Sequence, residues 1–132
     1  MAEPLINTRH AVGIDIIEIP RIKRTVERWG KRFLTRIYTE GELAYCRGRA
    51  PQLAARFAAK EAMMKALGTG RYGLSWREIE VVRERGRAPA IQLHGRAKKV
   101  AERLTVRDTA LSISHSREYA VASAVIEIGP PR

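Results

Sequence analysis

Short apolar runs along the chain, bounded by turn-forming residues, predict strands. Glycine and proline between residues 86 and 89 separate two of these runs, and a short polar turn separates the last two. The pattern therefore predicts strands joined by tight turns. They cover residues 10–15, 79–82, 90–93, 111–115 and 119–126.

The segment after the first strand has the spacing of a helix. Pro20 suits the first helical turn, and Gly30 suits the position just past the end. Ile22, Val26 and Trp29 recur at helical spacing, so we expect them to face the core.

Further helices follow, with residues 31–38 predicted as a connection. Thr39 and Glu42 have the spacing of a capping box and predict the start of a short helix. A long run of Ala, Leu, Met and Phe predicts a largely buried helix over residues 51–67. A last helix is predicted over residues 95–104. The mixed order indicates an α+β fold.

The length of 132 residues and the 45% hydrophobic content are typical of one domain with a real core. No run approaches the roughly 20 apolar residues of a membrane span, and residues 1–9 lack the apolar centre of a signal peptide. We therefore expect no membrane association and a cytoplasmic location. Cys46 is the single cysteine, interpreted as a packing residue. The domain is predicted over residues 10–128, with an N-terminal extension at 1–9 and a loose tail at 129–132.

The net charge of +11 argues for a polyanionic partner or substrate. Nucleic acid, a phosphate-rich cofactor and an acidic protein surface would all be attracted by this charge. Arg21, Arg24 and Arg28 share one face of the first predicted helix, and a solvated surface explains that stripe equally well.

Asp15 and Glu61 are the acids that most narrow the function. Asp15 ends an apolar run, and Glu61 lies in a helix that is apolar on nearly every side. Buried carboxylates carry a desolvation cost unless a positive group compensates for it. Mg²⁺ is usually held by one or two carboxylates together with substrate phosphates, so the pair predicts a magnesium site for a diphosphate. An ordinary helix ion pair between Glu61 and Lys65 is the alternative.

Basic residues near Glu61 have positions suited to phosphates. Lys65 lies one helical turn beyond Glu61, and Arg56 lies five residues before it. Backbone amides of Gly68, Thr69 and Gly70 suit an anion, although the loop lacks the ending of a P-loop.

Two separated motifs resemble those of the holo-acyl-carrier-protein synthases, the small bacterial type of 4′-phosphopantetheinyl transferase. Gly13-Ile14-Asp15 resembles the family's Gly-x-Asp, and residues 57–65 (FAAKEAMMK) resemble its Phe/Trp-x-x-Lys-Glu-Ala-x-x-Lys helix. The loop 68–70 and residues 112–116 (SISHS) follow in the family's order. The resemblance covers residues from about 10 to 127.

This resemblance implies the family's fold, a small antiparallel sheet packed with a long buried helix. It also implies magnesium-dependent transfer of phosphopantetheine from coenzyme A to a serine of apo acyl carrier protein, in fatty-acid biosynthesis. Adenosine 3′,5′-bisphosphate would be released. The base that takes the serine proton is left open between Glu61 and a water on the metal.

By position, the resemblance assigns roles to the residues named above. Asp15 and Glu61 are the implied metal ligands, and with Lys65, which would contact the diphosphate, they form the expected catalytic set. The implied coenzyme A contacts are Arg56, Lys65, Gly68, Thr69, Gly70, His115 and Ser116. The implied carrier contacts are Arg21, Arg24 and Arg28.

The family further implies a homotrimer with active sites at subunit interfaces. One alternative is the same reaction on polyketide or peptide-synthetase carrier proteins, which the short chain disfavours. A basic nucleic-acid-binding domain is the alternative from another class. It needs neither Asp15 nor Glu61, and the chain has few aromatic residues and no stacking motif for bases.

Overall fold

The computed structural model describes residues 9–68, 73–84 and 86–130. Strands and helices are mixed along these ranges, which confirms the α+β prediction. The strands are β1 (Arg9–Glu18), β2 (Ile79–Val82), β3 (Ala90–Leu93), β4 (Val106–His115) and β5 (Tyr119–Ile128). The helices are α1 (Ile19–Trp29), α2 (Lys31–Ile37), α3 (Glu40–Cys46), α4 (Ala50–Leu67) and α5 (Gly95–Leu104).

The strands form two antiparallel sheets. The larger has the order β1-β5-β4, and β2 pairs with β3 in the smaller. Asp15 lies opposite Ala122 in this register, three residues before β1 ends. The prediction that Asp15 ends its strand is therefore wrong. The alternation of buried and exposed side chains continues beyond Asp15. Ile17 is buried in the core, and its neighbours on both sides are exposed.

Most predicted helices are confirmed, including the capping box between Thr39 and Glu42. Residues 31–38 were expected to be a connection, but α2 occupies most of them. Trp29 was expected in the core and is 47% exposed. It occupies the last turn of α1, just before Gly30 redirects the chain, and the guanidinium groups of Arg28 and Arg32 lie against its ring.

Strand β1 and helix α4 come close together at Gly13. A Cβ atom on Gly13 would overlap the backbone carbonyl of Ala62, so a side chain at this position displaces the helix. The buried residues of α4 include six alanines, whose small side chains let neighbouring elements pack close to the helix backbone. They are Ala54, Ala55, Ala58, Ala59, Ala62 and Ala66.

A buried ion pair fixes the other side of α4. The Lys60 ammonium donates to Glu42 Oε1 at 2.7 Å and to the carbonyls of Trp76 and Ile79 at 3.0 and 2.6 Å. Glu42 Oε2 accepts from the backbone N–H of Val81 at 2.8 Å. Burial lowers the pKa of Lys60, and the Glu42 carboxylate offsets part of this shift. The pair joins α3, α4 and the segment that leads into β2.

No helix in the described part of the chain is long and apolar enough to cross a membrane.

At the end of β5, the N–H of Gly129 donates to the Thr105 carbonyl at 2.9 Å. The trimer, the cytoplasmic location and the domain boundaries stay predictions.

We expect Gly13→Ala to lower the free energy of unfolding by about 1–3 kcal/mol, because the added methyl group forces β1 and α4 apart. Chemical denaturation measures this change. His10→Ala is the control, since His10 is exposed on the same strand. Equal stability of the Gly13→Ala protein and the control would contradict the packing described here.

Candidate active site

The contact between β1 and α4 places Asp15 and Glu61 on the wall of one cavity. The cavity has a volume of about 310 Å³, and Arg21 of α1 also lines it. Both acids are partly buried, and Glu61 makes further contacts within the fold. The cavity therefore combines two carboxylates with a guanidinium, although 46 residues of sequence separate the acids.

Lys65 lies beside this pair. Its ammonium donates to Asp15 Oδ1 at 3.2 Å and to the Ile14 carbonyl at 3.0 Å. The Lys65 side chain is 54% exposed, and that of Asp15 only 18%. The ion pair compensates for the partial burial of Asp15 and leaves the lysine within reach of an incoming anion.

The donor set of the cavity fits a magnesium ion. Within residues 9–68, 73–84 and 86–130, no group of three or more His, Cys, Asp or Glu residues is placed to hold a metal. A pair of carboxylates is enough for Mg²⁺, which keeps several waters and takes substrate phosphates as its other ligands. Asp15 and Glu61 would hold the ion.

Apolar side chains form much of the remaining wall. They come from β1, α1, α2 and α4, and Phe57 of α4 stacks on Trp76 with ring centroids 4.9 Å apart. Sequence reasoning missed the wall residue from α2, because residues 31–38 show no clear helical signal. The apolar side chains of the wall are Ile17, Ile22, Phe33 and Phe57.

A second recess lies between α1 and α2, lined by Thr25 and Trp29 of α1 and by Arg32, Phe33 and Arg36 of α2. This recess has a volume of about 410 Å³ and shares Thr25 and Phe33 with the carboxylate cavity. Trp29 lies between Arg28 and Arg32, whose guanidinium carbons are 5.1 and 5.9 Å from its ring centroid. Sequence reasoning missed this exposed aromatic residue because it assigned Trp29 to the core.

Arg56 does not lie on the carboxylate cavity. Only 3% of this residue is exposed, and its guanidinium carbon lies 4.2 Å from the ring centroid of Tyr45. The Nε atom of Arg56 is buried without a hydrogen-bond partner. Buried donors are nearly always paired, so this nitrogen is unusual.

The other expected coenzyme A contacts occupy separate places. His115 and Ser116 are exposed at the end of β4, which β5 separates from β1. Two strand spacings amount to about 10 Å, so these side chains belong to another part of the sheet than Asp15. Gly68 ends α4 in the left-handed conformation, with φ of 74°. Thr69 and Gly70 lie outside the described residues.

Cys46 takes no part in the cavity. Its side chain is fully buried, and burial raises the pKa of the thiol to about 11. The thiol is therefore protonated near neutral pH and is a poor nucleophile. Its interpretation as a packing residue is confirmed.

The sequence matches a family model described as the 4′-phosphopantetheinyl transferase superfamily over residues 11–124. A holo-acyl-carrier-protein synthase of Koribacter versatilis is 52% identical over 119 residues, which cover 87% of this chain and 95% of the relative. The same enzyme of Gloeobacter violaceus is 51% identical over 121 residues, with 89% and 92% covered.

Solved structures agree with these relatives. The holo-acyl-carrier-protein synthase of Helicobacter pylori in complex with coenzyme A superimposes with a TM-score of 0.80 at 34% identity. The alignment covers 87% of this chain and 98% of that one. The enzyme from Neisseria meningitidis gives a TM-score of 0.81 at 32% identity, with 88% and 96% covered.

Proposed function

The chain belongs to the 4′-phosphopantetheinyl transferase superfamily, and we propose that its carboxylate cavity transfers phosphopantetheine from coenzyme A to apo acyl carrier protein. Its type of activity is that of a holo-acyl-carrier-protein synthase. The observation that carries the proposal for this site is the meeting of Asp15, Glu61 and Arg21 around one cavity.

The proposed reaction forms one bond and breaks one. The carrier serine oxygen bonds to the phosphorus next to the pantetheine arm, and the bridging P–O bond of the diphosphate breaks. Adenosine 3′,5′-bisphosphate leaves with that electron pair. The serine proton passes to Glu61 or to a water in the cavity, since a base must lie within hydrogen-bond reach of the hydroxyl.

Asp15 and Glu61 would hold Mg²⁺, which when bound neutralises diphosphate charge and orients the phosphorus for in-line attack. Lys65 supplies a mobile positive charge at the same place. Its ammonium contacts Asp15 in this structure and is exposed enough to contact a phosphate oxygen instead. Phe33 and Phe57 place apolar side chains beside the carboxylates in the same cavity.

The basic face of α1 is the proposed docking surface for the acidic carrier protein. Arg21 lies at the cavity itself, and Arg24 and Arg28 continue the stripe along the helix. Trp29 adds an exposed aromatic side chain among arginines, a combination enriched at protein interfaces. A carrier bound here presents its serine beside Asp15 and Glu61.

We further propose a homotrimer with active sites between subunits. Val12, Ile14 and Ile16 on the outer face of β1 are 63%, 61% and 63% exposed. Val121 and Val125 of β5 lie beside them in register. A group of exposed apolar side chains of this kind is typical of an interface. The distance of His115 and Ser116 from Asp15 also supports a site that two subunits complete.

Fatty-acid synthesis is the proposed pathway, with polyketide or peptide-synthetase carriers as the alternative substrates. No feature of the cavity favours these larger systems. The alternative of a nucleic-acid-binding domain receives no support. The relatives are enzymes, and this chain aligns with 95% and 92% of their length.

We expect the protein to add one phosphopantetheine to apo acyl carrier protein with coenzyme A and magnesium, and none with excess chelator. Asp15→Asn and Glu61→Gln should each lower the rate by about 100-fold or more, because the charge facing the diphosphate is lost. Intact mass spectrometry of the carrier measures both effects. Glu102→Gln, an exposed acid on α5, is the control. Full activity of both folded variants would contradict the assigned site.

The double variant Arg24→Glu, Arg28→Glu should raise the KM for the carrier about tenfold and leave the KM for coenzyme A unchanged. Steady-state kinetics with each substrate varied in turn measures the two constants. The loss should shrink as ionic strength rises, since screening weakens the charge attraction that the variant removes. Arg103→Glu on α5 makes the same kind of charge change outside the stripe. An equal effect from this control would refute a specific docking surface.

Ile14→Asp should dissociate the assembly, because it places charge in the centre of the apolar sheet face. Sedimentation analysis should find three chains of 14.9 kDa per particle in the original protein and single chains in the variant. Activity should fall with the loss of assembly. Ala44→Asp, an exposed apolar-to-acid change on α3, is the matched control. A monomeric original protein with full activity would refute the trimer.

A further inference from the structure

A third concave region lies between helix α5 and the segment that leads into β2. It has a volume of about 340 Å³, and none of its lining residues lines the carboxylate cavity or the recess between α1 and α2. The proposed function assigns it no role. The wall of this region, called the α5 groove below, consists of Gly73, Leu74, Arg96, Lys99, Val100 and Arg103.

Three exposed basic side chains contribute to the wall of the α5 groove. Arg96, Lys99 and Arg103 follow one another at the i, i+3, i+7 spacing of a single helix face. In the part of the chain that the structure describes, none of the three forms an ion pair. Like charges one turn apart slightly destabilise a helix, so the stability of α5 does not explain this stripe.

Backbone groups hold the first of these cations at the groove. Arg96 Nη1 donates to the Gly73 carbonyl at 3.2 Å, which ties the guanidinium group to the opposite wall. The backbone N–H of Arg96 donates to Glu78 Oε2 at 2.6 Å, so the Glu78 carboxylate serves the start of α5. The Arg96 guanidinium group therefore keeps further N–H donors for a ligand.

Apolar side chains complete the wall. Leu74 and Val100 are only partly buried, and Leu74 packs on the main core from the side of the groove. An apolar side chain of a ligand that covers them gains about 25 cal/mol for each Å² removed from water. The α5 groove thus combines unpaired positive charge with apolar surface, which suits a helix that is acidic and apolar on the same face.

Other polyanions fit this surface less well. Among the residues that the structure describes, the wall of the groove has no aromatic side chain on which a nucleic-acid base could stack. A membrane surface takes up apolar side chains that protrude from a helix, whereas Leu74 and Val100 line a concave wall. The apolar part of the groove therefore favours a protein ligand.

The groove also lies apart from the face proposed for assembly. Ala97 and Ala101 of α5 belong to the same core as Ile17, on the inner side of the larger sheet. Ile14 lies on the outer side of that sheet. Assembly through the outer side therefore does not use the α5 groove.

We propose that the α5 groove is a docking site for an acidic amphipathic helix of a partner protein. Carboxylates at successive turns of that helix pair with Arg96, Lys99 and Arg103, which span about 10 Å along α5. An apolar side chain between the carboxylates covers Leu74 and Val100. This docking site is separate from the carboxylate cavity and does not depend on the transfer reaction.

Calorimetry with a designed helical peptide tests the proposal. The peptide is about 15 residues long, with glutamates at i, i+3 and i+7 and leucines beside them. The protein carries Arg24→Glu and Arg28→Glu, which removes the basic stripe of α1 as a competing site. In this background Lys99→Glu should weaken binding about fivefold, because one cation of the groove is reversed.

Lys98→Glu is the matched control. Lys98 is an exposed lysine next to Lys99, but it does not line the groove, because one residue along an α-helix is a rotation of about 100°. This variant makes the same charge change and should alter the affinity by no more than about twofold. A second peptide with serine in place of leucine should bind about fivefold more weakly, since it leaves Leu74 and Val100 uncovered.

Cross-linking gives a measurement that needs no substitution. A carbodiimide couples carboxylates to lysine amines that lie in contact with them, and mass spectrometry identifies the coupled residues. With the leucine peptide and the original protein, Lys99 should be coupled in clear excess over Lys98.

Four outcomes would overturn the proposal. They are no binding of the leucine peptide, an equal effect of Lys98→Glu and Lys99→Glu, equal affinity of the leucine and serine peptides, and equal coupling of the two lysines. A single-stranded DNA oligonucleotide or phosphatidylglycerol vesicles that bind more tightly than the peptide, with the same dependence on Lys99, would also overturn it in favour of another class of partner.

Discussion

The close approach of β1 to α4 at Gly13 is the constraint on which the site depends. A side chain at this position would overlap the backbone carbonyl of Ala62, so the two elements touch through their main chains. Asp15 lies two residues along the strand from Gly13, and Glu61 immediately precedes Ala62. The contact that closes the core therefore also sets the separation of the two carboxylates. The packing of the core and the geometry of the carboxylate pair therefore depend on the same contact.

Two adjacent residues of α4, Lys60 and Glu61, have different roles. Lys60 is fully buried and bonds Glu42 together with two carbonyls, whereas Glu61 faces the cavity beside it. A buried charge pair adds little net stability but makes wrong arrangements costly, because an unpaired charge would remain inside. The pair thus fixes the rotation of α4 about its axis. That rotation determines that the Glu61 side chain lies on the cavity.

Local patterns predicted most elements, because strand and helix periodicity, Pro20, Gly30 and the Thr39 capping box are all short-range signals. Asp15 and Glu61 were recognised as candidate site residues because a carboxylate is unexpected in an apolar segment. Trp29 was missed for a different reason. An aromatic side chain at helical spacing indicates a core position, and only the tertiary structure places Arg32 of α2 against its ring. Such contacts leave no periodic trace in the sequence.

Strand β1 serves two surfaces through its alternation. Gly13, Asp15 and Ile17 point towards α4 and the cavity, while Ile14 and its exposed neighbours form the face proposed for assembly. A slip of one residue in the pairing with β5 would exchange these faces and expel Asp15 from the site. The apolar outer residues therefore help to specify the catalytic register even in the single chain, since burying a carboxylate among them would be costly. The proposed assembly and the proposed site would thus constrain the same ten residues of strand.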